Sequence, residues 1–217
     1  MKKIAIIGSG AYGSYAASLI AELHANWEIH IFEAGDHEVK NQDEMGFYSE
    51  VTNGYYGGLI KGRYFGFGGS TNKWGGQILT FSDNDFKNPT RYQKEIIELN
   101  KKYRTNIFKK VGIKNDYPEV VLPNGMFTKT GVWLDYFSRN LFKKFKVAKF
   151  KNVILHPHCR VCKMIVDAKK ITGFTYIHED CEKTARDYDY YFLAAGAFET
   201  TRIMMISGLQ DKTCVEF

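Results

Sequence analysis

Gly8, Gly10 and Gly13, in Gly8-Ser9-Gly10-Ala11-Tyr12-Gly13, have the spacing that lets a chain close around a pyrophosphate. In that pattern the first glycine permits a tight turn, the second lets the backbone approach the phosphates, and the third lets a helix pack against the preceding strand. The elements needed to position it are readable on either side. Ile4-Ala5-Ile6-Ile7 is a short, largely β-branched run of the kind buried on both faces of a parallel sheet. The helical pattern that follows places Tyr12, Ala16, Leu19, Ile20 and Leu23 on one apolar face, and its N-terminal N–H groups would meet an anion. A second strand, Glu28-Ile29-His30-Ile31-Phe32, ends at Glu33, twenty residues beyond Gly13. A carboxylate there is placed to accept hydrogen bonds from a ribose diol and to repel a 2′-phosphate.

Two further glycine motifs follow. Gly66-Phe67-Gly68-Gly69-Ser70-Thr71-Asn72-Lys73-Trp74-Gly75-Gly76 holds five glycines in eleven residues. Without Cβ atoms, successive N–H groups can crowd a planar ring or a phosphate, and Ser70, Thr71 and Asn72 add short polar side chains. The alternative for this stretch is a hairpin turn. Leu193-Ala194-Ala195-Gly196-Ala197-Phe198-Glu199-Thr200-Thr201-Arg202 reads as a strand running into a helix that ends near Gly208. Between these motifs, residues 152–155, 160–166 and 171–177 read as strands, the last two joined across Asp167-Ala168-Lys169-Lys170, and residues 189–194 as a buried strand. Residues 83–150 differ in character, with a charged amphipathic helix over Tyr92–Tyr103.

Taken together the three motifs resemble the glucose–methanol–choline (GMC) family of FAD-dependent oxidoreductases. Glu33-Ala34-Gly35 resembles its strand end, residues 68–76 its flavin loop, and residues 193–202 with Ile206-Ser207-Gly208 its later Gly-Ala signature. The resemblance implies an α/β fold: a Rossmann-like FAD-binding domain with a parallel sheet and a β-hairpin insertion, formed by residues 1–82 and 151–217 and interrupted at 83–150 by a helical or mixed, substrate-side insertion. It implies that Gly8, Gly10, Ala11, Tyr12 and Gly13 cradle the pyrophosphate, with Glu33 and Ala34 at the ribose. Gly68, Gly69, Ser70, Thr71, Asn72, Trp74 and Gly75 would run along the flavin. Val161 would bring its backbone to the adenine, and Ala195, Gly196 and Ala197 would close the site.

The Trp-Gly-Gly variant is similar to the sugar- and polyol-oxidising branches, which implies hydride transfer from a CH–OH group to FAD, with a small alcohol or sugar as substrate. Lys73 stands where some members carry the histidine that links FAD covalently, so a dissociable FAD is expected. Trp74 replaces an asparagine of other members and alters the pocket at that point. The family's catalytic histidine lies well beyond the Gly-Ala signature, whereas Leu209–Phe217 contains none. The expectation is therefore a FAD-binding portion without its C-terminal catalytic domain, with no nameable catalytic residue and little turnover alone. Two other readings stay open: a non-catalytic flavin module or subunit completed by another chain, and a NAD-dependent Rossmann dehydrogenase, which leaves the second and third motifs unexplained.

Composition bounds the rest. The 217 residues, 44% hydrophobic, suffice for one domain and an insertion. No run is long enough to span a membrane, and Met1-Lys2-Lys3 leads straight into the first strand, so a cytoplasmic location without disulfides among the four cysteines is expected. The net charge of +6 suits an anionic ligand. Arg139, Lys143, Lys144, Lys146, Lys149 and Lys151, interleaved with Phe142, Phe145 and Phe150, could meet a membrane surface or polyanion, but read more simply as a solvated face over buried aromatics. No nucleic-acid module is readable. His156-Pro157-His158-Cys159-Arg160-Val161-Cys162 resembles half a zinc site but lacks a second ligand pair, so no metal is expected.

Overall fold

The apolar run at the N-terminus forms strand β1 (Lys3–Ile7), followed by helix α1 (Ala11–Leu23) and strand β2 (Glu28–Phe32), in a computed structural model that describes residues 1–52, 54, 57–115 and 117–209. Short elements come next: β3 (Lys40–Asn41), α2 (Gly57–Lys61) and β4 (Tyr64–Phe65). Then come β5 (Gln77–Ile78), α3 (Arg91–Val111), β6 (Val120–Val121), β7 (Phe127–Thr128) and β8 (Val132–Trp133). The chain closes with α4 (Leu141–Lys144), β9 (Val153–His156), β10 (Arg160–Asp167), β11 (Lys170–His178), β12 (Cys181–Arg186), β13 (Tyr190–Leu193) and α5 (Ala197–Ile206).

Two compact units result, Met1–Lys73 with Asn140–Phe217, and Trp74–Arg139. In the first, a four-stranded parallel sheet has the order β13-β1-β2-β9. Ile4, Ile6, Ile29 and Ile31 are sealed on the face that carries α1. Ala5, Ile7 and Phe32 point the other way, into a core shared with Cys159, Val161, Met164, Phe174 and Ile203 from the antiparallel sheet β10-β11-β12 and α5. The fold is thus α/β, with helix, parallel sheet and antiparallel sheet in layers. Both hairpins of the antiparallel sheet turn through two positive-φ residues, Ala168 (45°) with Lys169 (64°) and Glu179 (52°) with Asp180 (57°). That geometry matches the twist of paired strands.

In the second unit, Thr90 and Gln93 form a reciprocal cap at the start of α3, and Gly112 (φ 77°) ends it. Ile97, Phe108, Val111 and Ile113 are buried beneath this helix. In the first unit Phe142 and Phe145 are buried while Lys143, Lys146, Lys149 and Lys151 remain exposed. No helix among the described residues is long and apolar enough to cross a membrane.

Three expectations need correction. The face of α1 that packs is not Tyr12, Ala16, Leu19, Ile20 and Leu23. Gly13, Ser14, Ala17, Ser18 and Ala21 are buried instead, and Tyr12 and Leu23 are 84% and 67% exposed. Close packing of the helix on the sheet selects its small residues, whereas periodicity reads only the large apolar ones. Strand β13 is not buried: it is an edge of the parallel sheet, with Tyr190 43% and Phe192 41% exposed. Residues 160–177 do form two strands, but a third, β12, completes their sheet. Its charged edge sequence, Cys-Glu-Lys-Thr-Ala-Arg, carries no apolar alternation to reveal it.

Candidate functional site

Strands β1 and β13 run side by side, Ile7 opposite Leu193, so the chain turns at Gly8 and at Ala194 on the same edge of the sheet. Ligands of open α/β sheets collect at this carboxyl edge. Gly8 (φ 95°) donates its N–H to the Phe32 carbonyl at 2.8 Å. A Cβ there would lie 2.5 Å from the Ala194 carbonyl oxygen, and one on Gly13 would lie 1.9 Å from the Gly8 oxygen. Those two glycines are demanded by the packing of the chain itself. Gly10 is not: a Cβ there meets nothing within 4 Å. It begins α1 without any side-chain cap and with no acidic residue in the first turn. Its missing side chain leaves open space at a positive helix end, the arrangement that receives an anion.

The second motif packs directly on the first. Gly69 (φ 51°) faces Gly10, whose Cα would stand 3.1 Å from an added Cβ, and Gly68 N–H donates to the Ser9 carbonyl at 3.2 Å. The polar side chains of this loop are engaged with the protein's own backbone. Ser70 Oγ donates to the Gly62 carbonyl, Thr71 Oγ1 donates to the Gly68 carbonyl and accepts from Leu141 N–H, and Asn72 Nδ2 donates to the carbonyls of Phe67 and Gly69. Asn140 fastens the loop from outside, donating from Nδ2 to the Phe67 carbonyl (3.1 Å) and to Asn72 Oδ1 (2.6 Å). Asn140 was missed in the sequence, although an asparagine ahead of Leu141-Phe142 is a helix-cap signal, and its Oδ1 does accept from Lys143 N–H. Trp74 and Gly75 belong to the other unit, where the Trp74 indole donates to the Arg139 carbonyl at 2.9 Å and Gly75 lies against Trp133.

The third motif closes the same edge. Gly196 (φ 82°) begins α5 without a side-chain cap, and a Cβ there also meets nothing within 4 Å. Ala195 packs on the core, Ala197 is exposed, and Gly208 (φ 66°) follows the end of the helix. Val161, at the start of β10, is buried, and its carbonyl accepts from Arg202 Nη2 at 3.3 Å. Arg202 belongs to an ion-pair cluster that sequence patterns did not reveal: Glu199 binds Arg202 and Arg63, the latter at 2.8 Å with both side chains under one-sixth exposed. Glu199→Ala would leave two arginines facing each other and is expected to cost about 2 kcal/mol, since breaking a largely buried pair strands the remaining charge. Urea denaturation of the variant and the parent protein measures it.

Glu33 and Ala34 end β2 beside these loops, with Glu33 only 5% exposed. Its Oε2 accepts from Ser9 N–H (2.9 Å) and Ser9 Oγ–H (2.7 Å), and its Oε1 from Gly35 N–H (3.2 Å) and Gly66 N–H (3.1 Å).

On the opposite face of the sheet, His30 joins two partners, Glu28 Oε1 at 2.5 Å and His156 Nε2 at 2.8 Å. Burial, then the neighbouring His30, holds His156 below the ordinary imidazole range. A depressed native value means the unfolded chain takes up the proton first. The associated stability is therefore present above about pH 6.5 and is lost as pH falls below it. A His156→Phe variant should show a smaller drop in thermal midpoint between about pH 7 and pH 5.5 than the parent protein. Cys159 is buried, and that burial pushes its thiol up to about 11, which makes it inert at neutral pH. Among the described residues no three His, Cys, Asp or Glu side chains converge on a metal position. Residues 210–217, with Cys214, lie outside the described residues.

No protein-family profile and no curated protein sequence matches the chain. Solved structures do. Pyridoxine 4-oxidase from Mesorbium loti is similar over 96% of this chain and 52% of its own, with a TM-score of 0.59 at 14% identity. A 3-ketosteroid-Δ4-(5α)-dehydrogenase from Rhodococcus jostii RHA1 is similar over 91% of this chain and 46% of its own, with a TM-score of 0.58 at 14% identity. The FrdA protein of Escherichia coli quinol fumarate reductase is similar over 90% and 33%, with a TM-score of 0.50 at 13% identity. The chain has the fold shared by these redox enzymes and spans about half the length of the first two.

Proposed function

We propose that this chain is the FAD-binding portion of a GMC-type oxidoreductase acting on CH–OH groups of a sugar or polyol. The carrying observation is the convergence of the three glycine motifs at the carboxyl ends of β1 and β13, with Gly10 and Gly196 open and Gly8, Gly13, Gly66, Gly68 and Gly69 packed. FAD fits this donor set: backbone N–H groups at the uncapped start of α1, with no acidic residue in its first turn, suit its pyrophosphate, and the Gly68-Gly69 backbone offers a side-chain-free wall. Similarity to an oxidase, a dehydrogenase and a reductase supports a redox role. When bound, FAD supplies the hydride acceptor, and the chain's part is to bind and orient it. Lys73, exposed at the position of the family's linking histidine, supports non-covalent attachment.

A second reading stands beside the first: a non-catalytic flavin-binding module or a subunit completed by another chain. On that reading a loaded flavin reduces slowly with polyols, because general-base help is worth about 10²- to 10⁴-fold. Calorimetric titration of the purified chain with FAD, and separately with NAD, tests the proposal. FAD binding without NAD binding is expected; NAD binding alone would point to a dehydrogenase.

A further inference from the structure

We infer that the lysine-rich stretch around α4 docks the first unit on an acidic lipid surface, holding it there by charge. Seven of the chain's 30 basic residues and none of its 24 acidic ones lie between Asn140 and Val166. That stretch carries +7 and the remaining residues together −1, so the positive balance of the chain is gathered in one segment. Lys143, Lys146, Lys149 and Lys151 are exposed, Lys144 is half-buried, and none of the five has an ion-pair partner among the described residues. Helix α1, which packs on α4, carries a single charged residue, Glu22.

The lysines stand on a fixed base. Phe142 stacks on Phe67 with ring centroids 4.9 Å apart, and Phe145 meets Tyr15 edge to face at 5.9 Å. Val147 is fully buried, and Lys146 makes the turn between these anchors at φ 54°, a conformation that glycine adopts without cost. The kind of partner follows from the residue types. Protein interfaces favour arginine and exposed rings over lysine. Single-stranded nucleic acid stacks its bases on exposed rings, and Phe142 and Phe145 face inward. A layer of acidic headgroups asks only for clustered cations. Ala148 and Ile154, among and just after the lysines, are also exposed and can meet the headgroup–acyl boundary.

The test sediments the purified chain with vesicles of phosphatidylcholine alone and with vesicles containing about one-third phosphatidylserine. Binding is expected to the acidic vesicles only, and to fall about tenfold or more as salt rises from about 0.1 M to about 0.5 M. Each lysine near such a surface is worth about fivefold in partition. Lys143→Gln, Lys146→Gln, Lys149→Gln and Lys151→Gln together should therefore weaken binding by about a hundredfold or more. A control with the same change of charge, Lys87→Gln, Lys94→Gln, Lys102→Gln and Lys109→Gln, replaces exposed lysines of the second unit and should lose less than about fivefold. A parent chain that stays in the supernatant with acidic vesicles overturns the proposal. So does equal weakening by the two variants, which would mark net charge rather than this face. Tighter binding to a duplex oligonucleotide at the same salt, lost with the same four lysines, would overturn the lipid assignment in favour of nucleic acid. Should the fourfold variant not fold, Lys149→Gln with Lys151→Gln is expected to weaken binding by about twentyfold, and an unchanged partition overturns the proposal. Neither measurement involves FAD, so a failure of cofactor binding would remove the proposed function and leave this result standing.

Discussion

Gly13→Ala is expected to destabilise the fold by about 4 kcal/mol and to lower its thermal midpoint sharply. The added methyl would sit 1.9 Å from the Gly8 carbonyl oxygen, which is itself fixed by the Gly8 N–H bond to Phe32 and by the Ala194 backbone behind it. Neither neighbour is the far end of a flexible side chain, so α1 must move away from the sheet. That movement uncovers Ile4, Ile6, Ile29 and Ile31, which are 1% exposed or less. Overpacking costs typically 1–3 kcal/mol and more where backbone must shift, so about 4 kcal/mol is expected here. This is a large share of the roughly 5–15 kcal/mol that holds a typical domain. Circular dichroism with thermal denaturation reads the effect. A midpoint within about 2 °C of the parent would mean that the helix does not pack as closely as described.

Gly10→Ser should separate binding from folding in the opposite sense. Space around Gly10 is open, and its backbone (φ −63°, ψ −161°) is one that any residue adopts. Serine is also a better helix cap than glycine, so stability should be unchanged or slightly higher. The new side chain would occupy the approach to the uncapped N-terminus of α1, where the pyrophosphate is proposed to lie. A loss of FAD affinity by about a hundredfold is expected, some 2.7 kcal/mol. Titration with FAD beside a thermal melt shows both effects at once. Parallel loss of binding and stability would instead make Gly10 a packing glycine like its neighbour at 13.

The contrast between Gly10 and Gly13 shows what the sequence could convey. The spacing of the three glycines was enough to place the strand, turn and helix, and the Glu28–Phe32 strand was read at its observed bounds, because its apolar residues alternate with polar ones. Gly13 is crowded by the Gly8 backbone and Ile6 just ahead of it, and Gly8 by Ala194, almost two hundred residues away in the chain, and the spacing of the glycines alone does not say which of them is open. The same limit explains α1. Its buried stripe of Gly13, Ser14, Ala17, Ser18 and Ala21 is set by how close the sheet lies, while Tyr12 and Leu23 drew the eye by size. The Glu33 carboxylate accepts from Gly35 N–H two residues on, but also from Ser9 and Gly66, which meet it only after folding. Ser9 and Asn140 were hidden for that reason, and the Arg63–Glu199–Arg202 cluster likewise joins a loop and a helix 136 residues apart.

The measurement that bears most directly on the proposed function is the visible absorption spectrum of the purified chain after incubation with FAD and removal of excess, repeated on the supernatant after acid precipitation. The account predicts a yellow protein whose two flavin bands pass entirely into the supernatant, as expected of non-covalent FAD with Lys73 at the linking position. A colourless protein that takes up no FAD would contradict it.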